Sequence, residues 1–346
     1  MPPGPETAGR GADGRPTLSV VVCTHARPRY LAACLHGLAR QSAAARARCE
    51  TIVVDSASPP LPAMEVAALA AAAGARLLRS ETPGLSVARN LGLAAASGRW
   101  IAYLDDDAVP EPDWAEALLA RIAALPPDAA ALGGRILPEW EAPLPPWWPD
   151  RLRGVLTIVE WPGFGEVGAP ETPAEAAVYG ANMAFAVAPL RAVGGFDAAL
   201  GRVGARLLSG EEVEALDRLW AHDWRVFYDG AVAVRHHIQA ERLRPGWLLR
   251  RLYWQGATDA LRDRRRGLGR SLRRLPPRLA RLAVQAPLLA WPEASVRLMR
   301  VRCGAAYNLG YARGCLLAAR TLLRRGSGRG APGGAARGRL FGDATR

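Results

Sequence analysis

The chain has 346 residues, half of them hydrophobic, which suffices for one large domain with an appendage or for two domains. Its formal charge of +13 is uneven: from Glu241 to Arg346, 24 arginines and no lysine stand against five acids, so this part carries +19 and residues 1–240 carry −6. No apolar stretch reaches the roughly 18 residues of a membrane span, and Cys23, Cys34, Cys49, Cys303 and Cys315 lack zinc-like or paired spacing, which excludes a disulfide framework and fits a reducing cytoplasm.

Residues 1–16 are Pro/Gly-rich, lack the apolar core of a signal peptide, and are expected to be a disordered leader. Leu18 to Cys23 is continuous and β-branched, which predicts a strand buried on both faces. Arg29 to Gln41 places Leu31, Cys34, Leu35 and Leu38 at helical spacing. Thr51 to Asp55 predicts a second buried strand, Ala63 to Ala73 a helix stopped by Gly74, and Arg76 to Leu78 a short third strand. Ser86 to Ala96 predicts a helix, and Trp100 to Leu104 a strand running into Asp105, Asp106 and Asp107. This alternation is the pattern of a parallel α/β sheet. Such sheets bind ligands beyond the carboxyl ends of their strands, where Thr24, Asp55 and Asp105 all fall.

Further on, Asp113 to Ala124 predicts a helix with Asp113 as N-cap or first-turn acid, and Ala129 to Ile136 a strand. Residues 138–178 are Pro-rich, aperiodic and carry Trp140, Trp147, Trp148 and Trp161, which predicts a functional loop or lid. Its rings either stack on an acceptor or pack the lid onto the body. Asn182 to Val187 predicts a strand, Gly194 to Asp197 a turn, and Gly210 to Ala221 a helix with Glu211 and Glu212 at its start. Trp224 to Tyr228 and Ala231 to Arg235 predict two short strands, followed by His236 and His237. From Pro245 the chain reads as helical and Arg-rich, and residues 326–346 as a disordered tail.

The aspartate triplet carries the sharpest chemical signal. Side chains at i and i+2 of an extended chain share a face, so Asp105 and Asp107 are expected to face one spot. Two carboxylates held that close are costly without a cation. Mg2+ and Mn2+ favour oxygen ligands and incomplete protein cages finished by substrate phosphates. The plain alternative is a solvated acidic turn.

Seven segments in this order resemble a family-2 glycosyltransferase of the GT-A type, over roughly residues 17–260. They are Val20 to Arg27, Ile52 to Ser58, Gly84 to Gly92, the Asp triplet, Gly180 to Phe185, Gly194 to Asp197, and Gly210 to Glu212. The resemblance implies an α/β, Rossmann-like GT-A fold with a mostly parallel central sheet. It implies a catalytic domain over 17–244 and a basic helical extension over 245–325. The implied activity is inverting transfer of one sugar from a nucleotide diphosphate sugar, with Mn2+ or Mg2+ as cofactor. The implied acceptor is a hydroxyl on a saccharide, lipid-linked intermediate or secondary metabolite.

By the same resemblance, Thr24 and Arg27 lie where the nucleotide is held. Asp55 suits the uracil or ribose edge, or else caps a helix. Arg89 contacts the pyrophosphate, pairs with an aspartate, or is simply solvated. Asp107 would ligate the metal, Asp105 would contact ribose or sugar and share the metal, and Asp106 would lie on the sugar side. Glu212 would be the general base that takes the proton of the acceptor hydroxyl, with Glu211 sharing or taking that role. The family usually has Glu-Asp here, and acids at a helix start also favour the macrodipole without any catalysis. Some relatives supply a third metal ligand from a histidine, here His237 in preference to His236. His25 and Ala26 stand where relatives often carry an aromatic and Asn. No Gln-x-x-Arg-Trp segment is present, which favours single addition over polymerisation.

Two rivals fit parts of the pattern. A nucleotidyltransferase would release pyrophosphate and need no base at Glu212. A catalytically silent scaffold of the same fold would sit at a membrane. The Arg-rich helices suit packing on the catalytic domain over 245–263 and an anionic membrane surface over 264–325. Their charge alone gives only nonspecific attraction to nucleic acid, so no specific nucleic acid is expected. The expected location is cytoplasmic, peripheral at the inner face of the plasma membrane.

Overall fold

The computed structural model describes residues 16–202, 207–265, 267–285, 287–288 and 295–326. The expected disordered leader and tail fall almost entirely outside these residues. The strands are β1 (Leu18–Thr24), β2 (Cys49–Ser56), β3 (Arg76–Ser80), β4 (Trp100–Asp105), β5 (Ala108–Pro110), β6 (Ala129–Trp140), β7 (Phe164–Glu166), β8 (Asn182–Ala186) and β9 (Arg225–Ile238). The helices are α1 (Pro28–Ala39), α2 (Ala43–Ala47), α3 (Pro60–Ala72), α4 (Leu85–Ala95), α5 (Trp114–Ala124), α6 (Val187–Ala192), α7 (Glu211–Trp220), α8 (Pro245–Arg265), α9 (Leu268–Gln285) and α10 (Val296–Gly326). Short 3-10 turns cover Asp150–Leu156 and Ala240–Leu243.

All nine strands join one sheet in the order β3-β2-β1-β4-β8-β6-β9-β5, with β7 on β9. β3, β2, β1 and β4 are parallel, β8 runs antiparallel to β4 and β6, and β6 and β9 are parallel. The continuous apolar run of β1 follows from burial on both faces. Val20 and Val22 enter one core with Leu31 and Leu35 of α1, while Val21 and Cys23 enter a second with Ala88 and Leu93 of α4. Alternate side chains thus feed opposite layers, as period-2 geometry requires.

Several motif residues turn out to be ties between these layers. Asn90 of α4 donates to Phe196 O (2.6 Å) and accepts from Phe196 N (2.8 Å), which fastens the Gly-Gly-Phe-Asp turn to α4. Buried Asn182 accepts from the Trp114 indole at 3.0 Å and donates to Val232 O at 2.8 Å. Asp113 sits at the N-cap position of α5, but its side chain makes no capping bond.

The lid differs from an aperiodic loop. β6 continues to Trp140, and β7 adds a strand to β9. Trp148 lies in a third core with Leu156, Leu248, Leu252, Met299 and Cys303, and Trp161 stacks on Tyr228. These two rings pack the lid onto the body. The two short strands expected over 224–235 are one long strand, β9, that includes His236 and His237.

Helix α10 packs along α8. A Cβ at Gly310 would collide with the Tyr253 carbonyl, and one at Gly256 with the Tyr307 carbonyl, so glycine permits this close approach. Tyr307 and Tyr311 of α10 donate to Asp259 (2.7 Å) and Asp263 (2.9 Å) of α8. No helix among the described residues is long and apolar enough to cross a membrane.

Candidate active site

β4 ends at Asp105, and Asp106 and Asp107 form a turn before β5. The turn breaks the alternation assumed for an extended triplet. Asp106 and Asp107 are both buried, while the Asp105 side chain is 27 % exposed. Arg27, at the foot of α1, reaches both buried acids: Nη1 donates to Asp106 at 2.7 Å and Nη2 to Asp107 at 2.6 Å. Thr24 at the tip of β1 donates to Asp106 at 2.8 Å.

Burial pushes the Asp106 carboxyl up to about 7, against the pull of Arg27, and the neighbouring Asp107 charge adds to the rise. Burial works against the Asp107 carboxylate too, but His236, Arg242 and Arg27 outweigh it and hold that group well below the usual range. Asp107 Oδ2 also accepts from Gln239 (3.0 Å) and Arg242 (2.9 Å).

β-strand register decides the histidines. Ala108 pairs with His236 across β5 and β9, which sets His236 beside Asp107. His236 Nε2 lies 3.4 Å from Asp107 Oδ1, and the ring is buried. His237 points to the other face of β9, with Nε2 3.9 Å from Glu139 and its ring against Tyr30.

The tip of β4 opens on a cavity of about 280 Å³ lined by Thr24, His25, Arg27, Ser56, Gly84, Asp105, Asp106, Asp107 and Arg202. Asp55 is not among its walls. Its carboxylate accepts from Arg79 at 2.5 Å and from Ser58 N at 3.1 Å, which closes the turn after β2.

A second cavity, of about 360 Å³, lies on the other side of Asp105, and Leu85, Asp105 and Arg202 line both. Its floor is the start of α7 with Glu211 and Glu212, and its walls include Arg89, Tyr179, Gly180 and, from α8, Arg251 and Gln255. Arg89 is buried and bridges the two regions, donating to Glu211 at 2.6 Å and to Asp105 at 3.1 Å. Burial disfavours its charge, but Glu211 and Asp105 outweigh that and hold it protonated. Gly180 makes this possible, because a Cβ there would strike the Arg89 guanidinium.

Glu212 carries no such partner. Its Oε2 is buried without a hydrogen bond. Burial, together with the adjacent Glu211 charge, pushes its carboxyl up to about 7. Glu211 differs in that its Oε1 is held by Arg89 at 2.6 Å, whereas Glu212 has no ion-pair partner among the described residues.

No three His, Cys, Asp or Glu side chains among the described residues form a ready metal cage. His236 Nε2 and Asp107 Oδ1 nevertheless lie 3.4 Å apart, and Asp107 lines the first cavity together with the partly exposed Asp105. One or two carboxylates and an imidazole, open on one side, suit a Mg2+ or Mn2+ ion finished by substrate phosphates.

Sequence reading missed Arg202, Arg242, Gln239, Arg151 and Arg251 at these sites. No local motif marks them; Arg151 comes from the lid, Arg202 from the loop before α7, Gln239 and Arg242 from the segment after β9 and Arg251 from α8, and only tertiary packing brings them to these sites.

The sheet, its acidic strand tip and the paired cavities define the GT-A fold. Residues 19–147 match the family model for glycosyl transferase family 2. The chain is 32 % identical over 184 residues to glucosyl-dolichyl phosphate glucuronosyltransferase of Haloferax volcanii, covering 53 % of this chain and 57 % of the relative. It is 28 % identical over 216 residues to pre-mycofactocin glycosyltransferase of Mycobacterium tuberculosis, covering 62 % of this chain and 40 % of the relative. The chain thus matches about half the length of these relatives. Among solved structures, the mannosyltransferase PcManGT of Pyrobaculum calidifontis, in complex with GDP-Man and Mn2+, superposes with a TM-score of 0.50 at 18 % identity, covering 92 % of this chain and 77 % of that one. S. aureus TarS 1-349 in complex with UDP-GlcNAc superposes with a TM-score of 0.51 at 15 % identity, covering 88 % and 92 %.

Proposed function

We propose that the chain transfers one sugar from a nucleoside diphosphate donor to an acceptor hydroxyl, with inversion at the anomeric carbon. The observation that carries this reading is the pair of cavities meeting at Asp105, with an acidic, arginine-braced strand tip in one and an unpaired glutamate in the other. The donor nucleotide lies in the first cavity, against Thr24, Arg27 and Ser56. Asp105 stands at the passage where sugar meets acceptor.

The acceptor enters the second cavity. Glu212 takes the proton of its hydroxyl as that oxygen attacks the anomeric carbon from the face opposite the leaving group. The C–O bond to the phosphate breaks, and its electron pair leaves with the nucleoside diphosphate. Asp107 and His236, with Asp105, would hold the divalent ion. When bound, that ion stabilises the negative charge that develops on the leaving diphosphate. His236 replaces His237 in this role because only His236 faces Asp107.

The helices beyond residue 244 give the protein a second surface. Leu279 and Val284 are exposed on α9, beside exposed Arg281. Apolar side chains interspersed with arginine suit the interface of an anionic membrane, which would bring the chain to a lipid-linked acceptor as a peripheral protein.

The deciding experiment incubates the protein with nucleotide sugars, Mn2+ and candidate acceptors, and follows release of nucleoside diphosphate and the anomeric configuration of the product. Diphosphate release with an inverted glycoside is the expected result. Pyrophosphate release from a nucleoside triphosphate would overturn it in favour of nucleotidyl transfer.

A further inference from the structure

The second cavity is cationic in a way that glycosyl transfer to a neutral sugar does not require. Five arginines line it: Arg89, Arg151, Arg202, Arg251 and Arg262. Two are neutralised within the protein. Arg89 holds Glu211 and Asp105, and Arg262 holds Asp217 at 2.8 Å. The other three have no ion pair among the described residues. Arg251 Nη1 donates to the neutral Gln255 amide at 3.0 Å, and its Nε is buried without a partner. Arg151 is exposed on the 3-10 turn of the lid, and Arg202 sits at the border of both cavities.

These three come from separate elements: the lid, the loop before α7, and α8. Burial and the nearby Arg202 charge lower the Arg251 guanidinium to about 10, and the charges of Glu212, Glu211 and Asp259 offset this only in part. Proteins rarely keep like charges converging on a partly enclosed space unless an anion joins them. A planar carboxylate offers two oxygens in one plane, whereas guanidinium groups from three walls suit a tetrahedral anion with several oxygens.

Resting on the glycosyl-transfer reading of this site, we propose that the acceptor carries a phosphate, and that Arg151, Arg202 and Arg251 hold it in the cavity floored by Glu212. The phosphate is not that of the donor, because Arg151 and Arg251 line only the second cavity. Its seat beside the general base would fix the acceptor hydroxyl toward the passage at Asp105. The helical extension then becomes part of the acceptor site through α8.

The phosphate belongs either to a lipid carrier or to a soluble sugar phosphate, and the test separates the two. The full chain is first saturated with UDP or GDP in the presence of Mn2+, which fills the donor cavity. Calorimetry then compares citronellyl phosphate with citronellol, and glucose 1-phosphate with methyl glucoside. At least tenfold tighter binding of one phosphorylated member over its uncharged partner is expected, and the pair that shows it identifies the source. Arg151→Gln, on an exposed turn, and Arg251→Gln should each weaken that binding at least tenfold while nucleoside diphosphate affinity stays unchanged. Arg251→Lys, which keeps the charge, should restore part of it.

Equal affinity within both pairs would overturn the proposal, as would phosphate binding that neither substitution alters. Failure of the donor reading has a different signature, the absence of UDP and GDP binding. In that event the same phosphate comparisons are read on the nucleotide-free chain.

Discussion

Arg89 and Glu211 form an ion pair of 2.6 Å in which both side chains are at most 4 % exposed. The same guanidinium reaches Asp105 at 3.1 Å, so one buried cation links the strand tip to the start of α7. Breaking a buried pair by removing one partner leaves an uncompensated charge, which costs about 3–5 kcal/mol. Arg89→Met is therefore expected to lower unfolding stability by about that amount, as measured by urea denaturation followed by circular dichroism. A change below about 1 kcal/mol would mean that the pair is not buried as described.

Gly180 tests the same link from the other side. A methyl group there meets the Arg89 guanidinium. Gly180→Ala should displace Arg89 from Asp105 and destabilise by about 1–3 kcal/mol through overpacking. The activity loss should exceed that of Gly246→Ala, in the first turn of α8, where an added Cβ meets nothing within 4 Å. Equal losses in a matched assay would remove the steric argument.

Glu212 gives a pH dependence of definite sign. Its carboxyl is pushed from 4.5 to about 7, so as a base it works only when ionised. Turnover should rise through pH 7 and level off above it, and Glu212→Gln should lower kcat by about 10²–10⁴-fold. Stability runs the opposite way. A folded-state value above the unfolded one favours the fold below the unfolded value, and that contribution is lost as pH rises through 7. The difference corresponds to up to about 3 kcal/mol. Glu212→Gln should thus be relatively more stable than the parent at pH 8 than at pH 4. A melting-temperature difference that stays constant between these pH values would contradict the buried, unpaired carboxyl.

The histidines separate metal binding from packing. His236 Nε2 faces Asp107 Oδ1, whereas His237 faces Glu139. His236→Ala should raise the Mn2+ concentration needed for half-maximal activity at least tenfold, and His237→Ala should change it little. Chelation with EDTA should abolish turnover in the parent. The reverse ranking of the two variants would return the ligand role to His237.

That His236 and His237 face opposite sides of β9 was legible in the sequence. Val232, Val234, His236 and Ile238 fall on one face of a strand at period two, and only reading 231–235 as a strand that stopped short hid this. The β1–β4 frame was legible for a simpler reason: continuous β-branched runs and helical spacing are local signals. The Asp triplet misled in one respect, because spacing cannot tell a strand end from a turn. Asp55 marks another limit, since Arg79 on the neighbouring strand holds its carboxylate and no pattern within one strand reports that pairing. Arg151 and Arg251 were invisible. They meet because the lid and α8 share the core around Trp148, and no one-dimensional pattern reports that packing.

Ala26 and Ala57 share an uncommon backbone conformation. Both adopt the left-handed region, at φ 52° and 55°. Alanine there pays about 1–2 kcal/mol that glycine avoids, and asparagine tolerates the same conformation better. The bend at Ala26 is held by its N–H donating to Ser58 Oγ at 2.8 Å, and it turns the chain so that Arg27 reaches Asp106 and Asp107. Ala26→Asn keeps that bend while relieving strain. It should raise stability by about 0.5–1 kcal/mol, with donor affinity unchanged. Ala26→Val, whose branched side chain resists positive φ, should do the reverse: it should destabilise and weaken nucleoside diphosphate binding together. If the two variants instead melt at the same temperature and bind UDP or GDP equally well, the left-handed turn is not what positions Arg27.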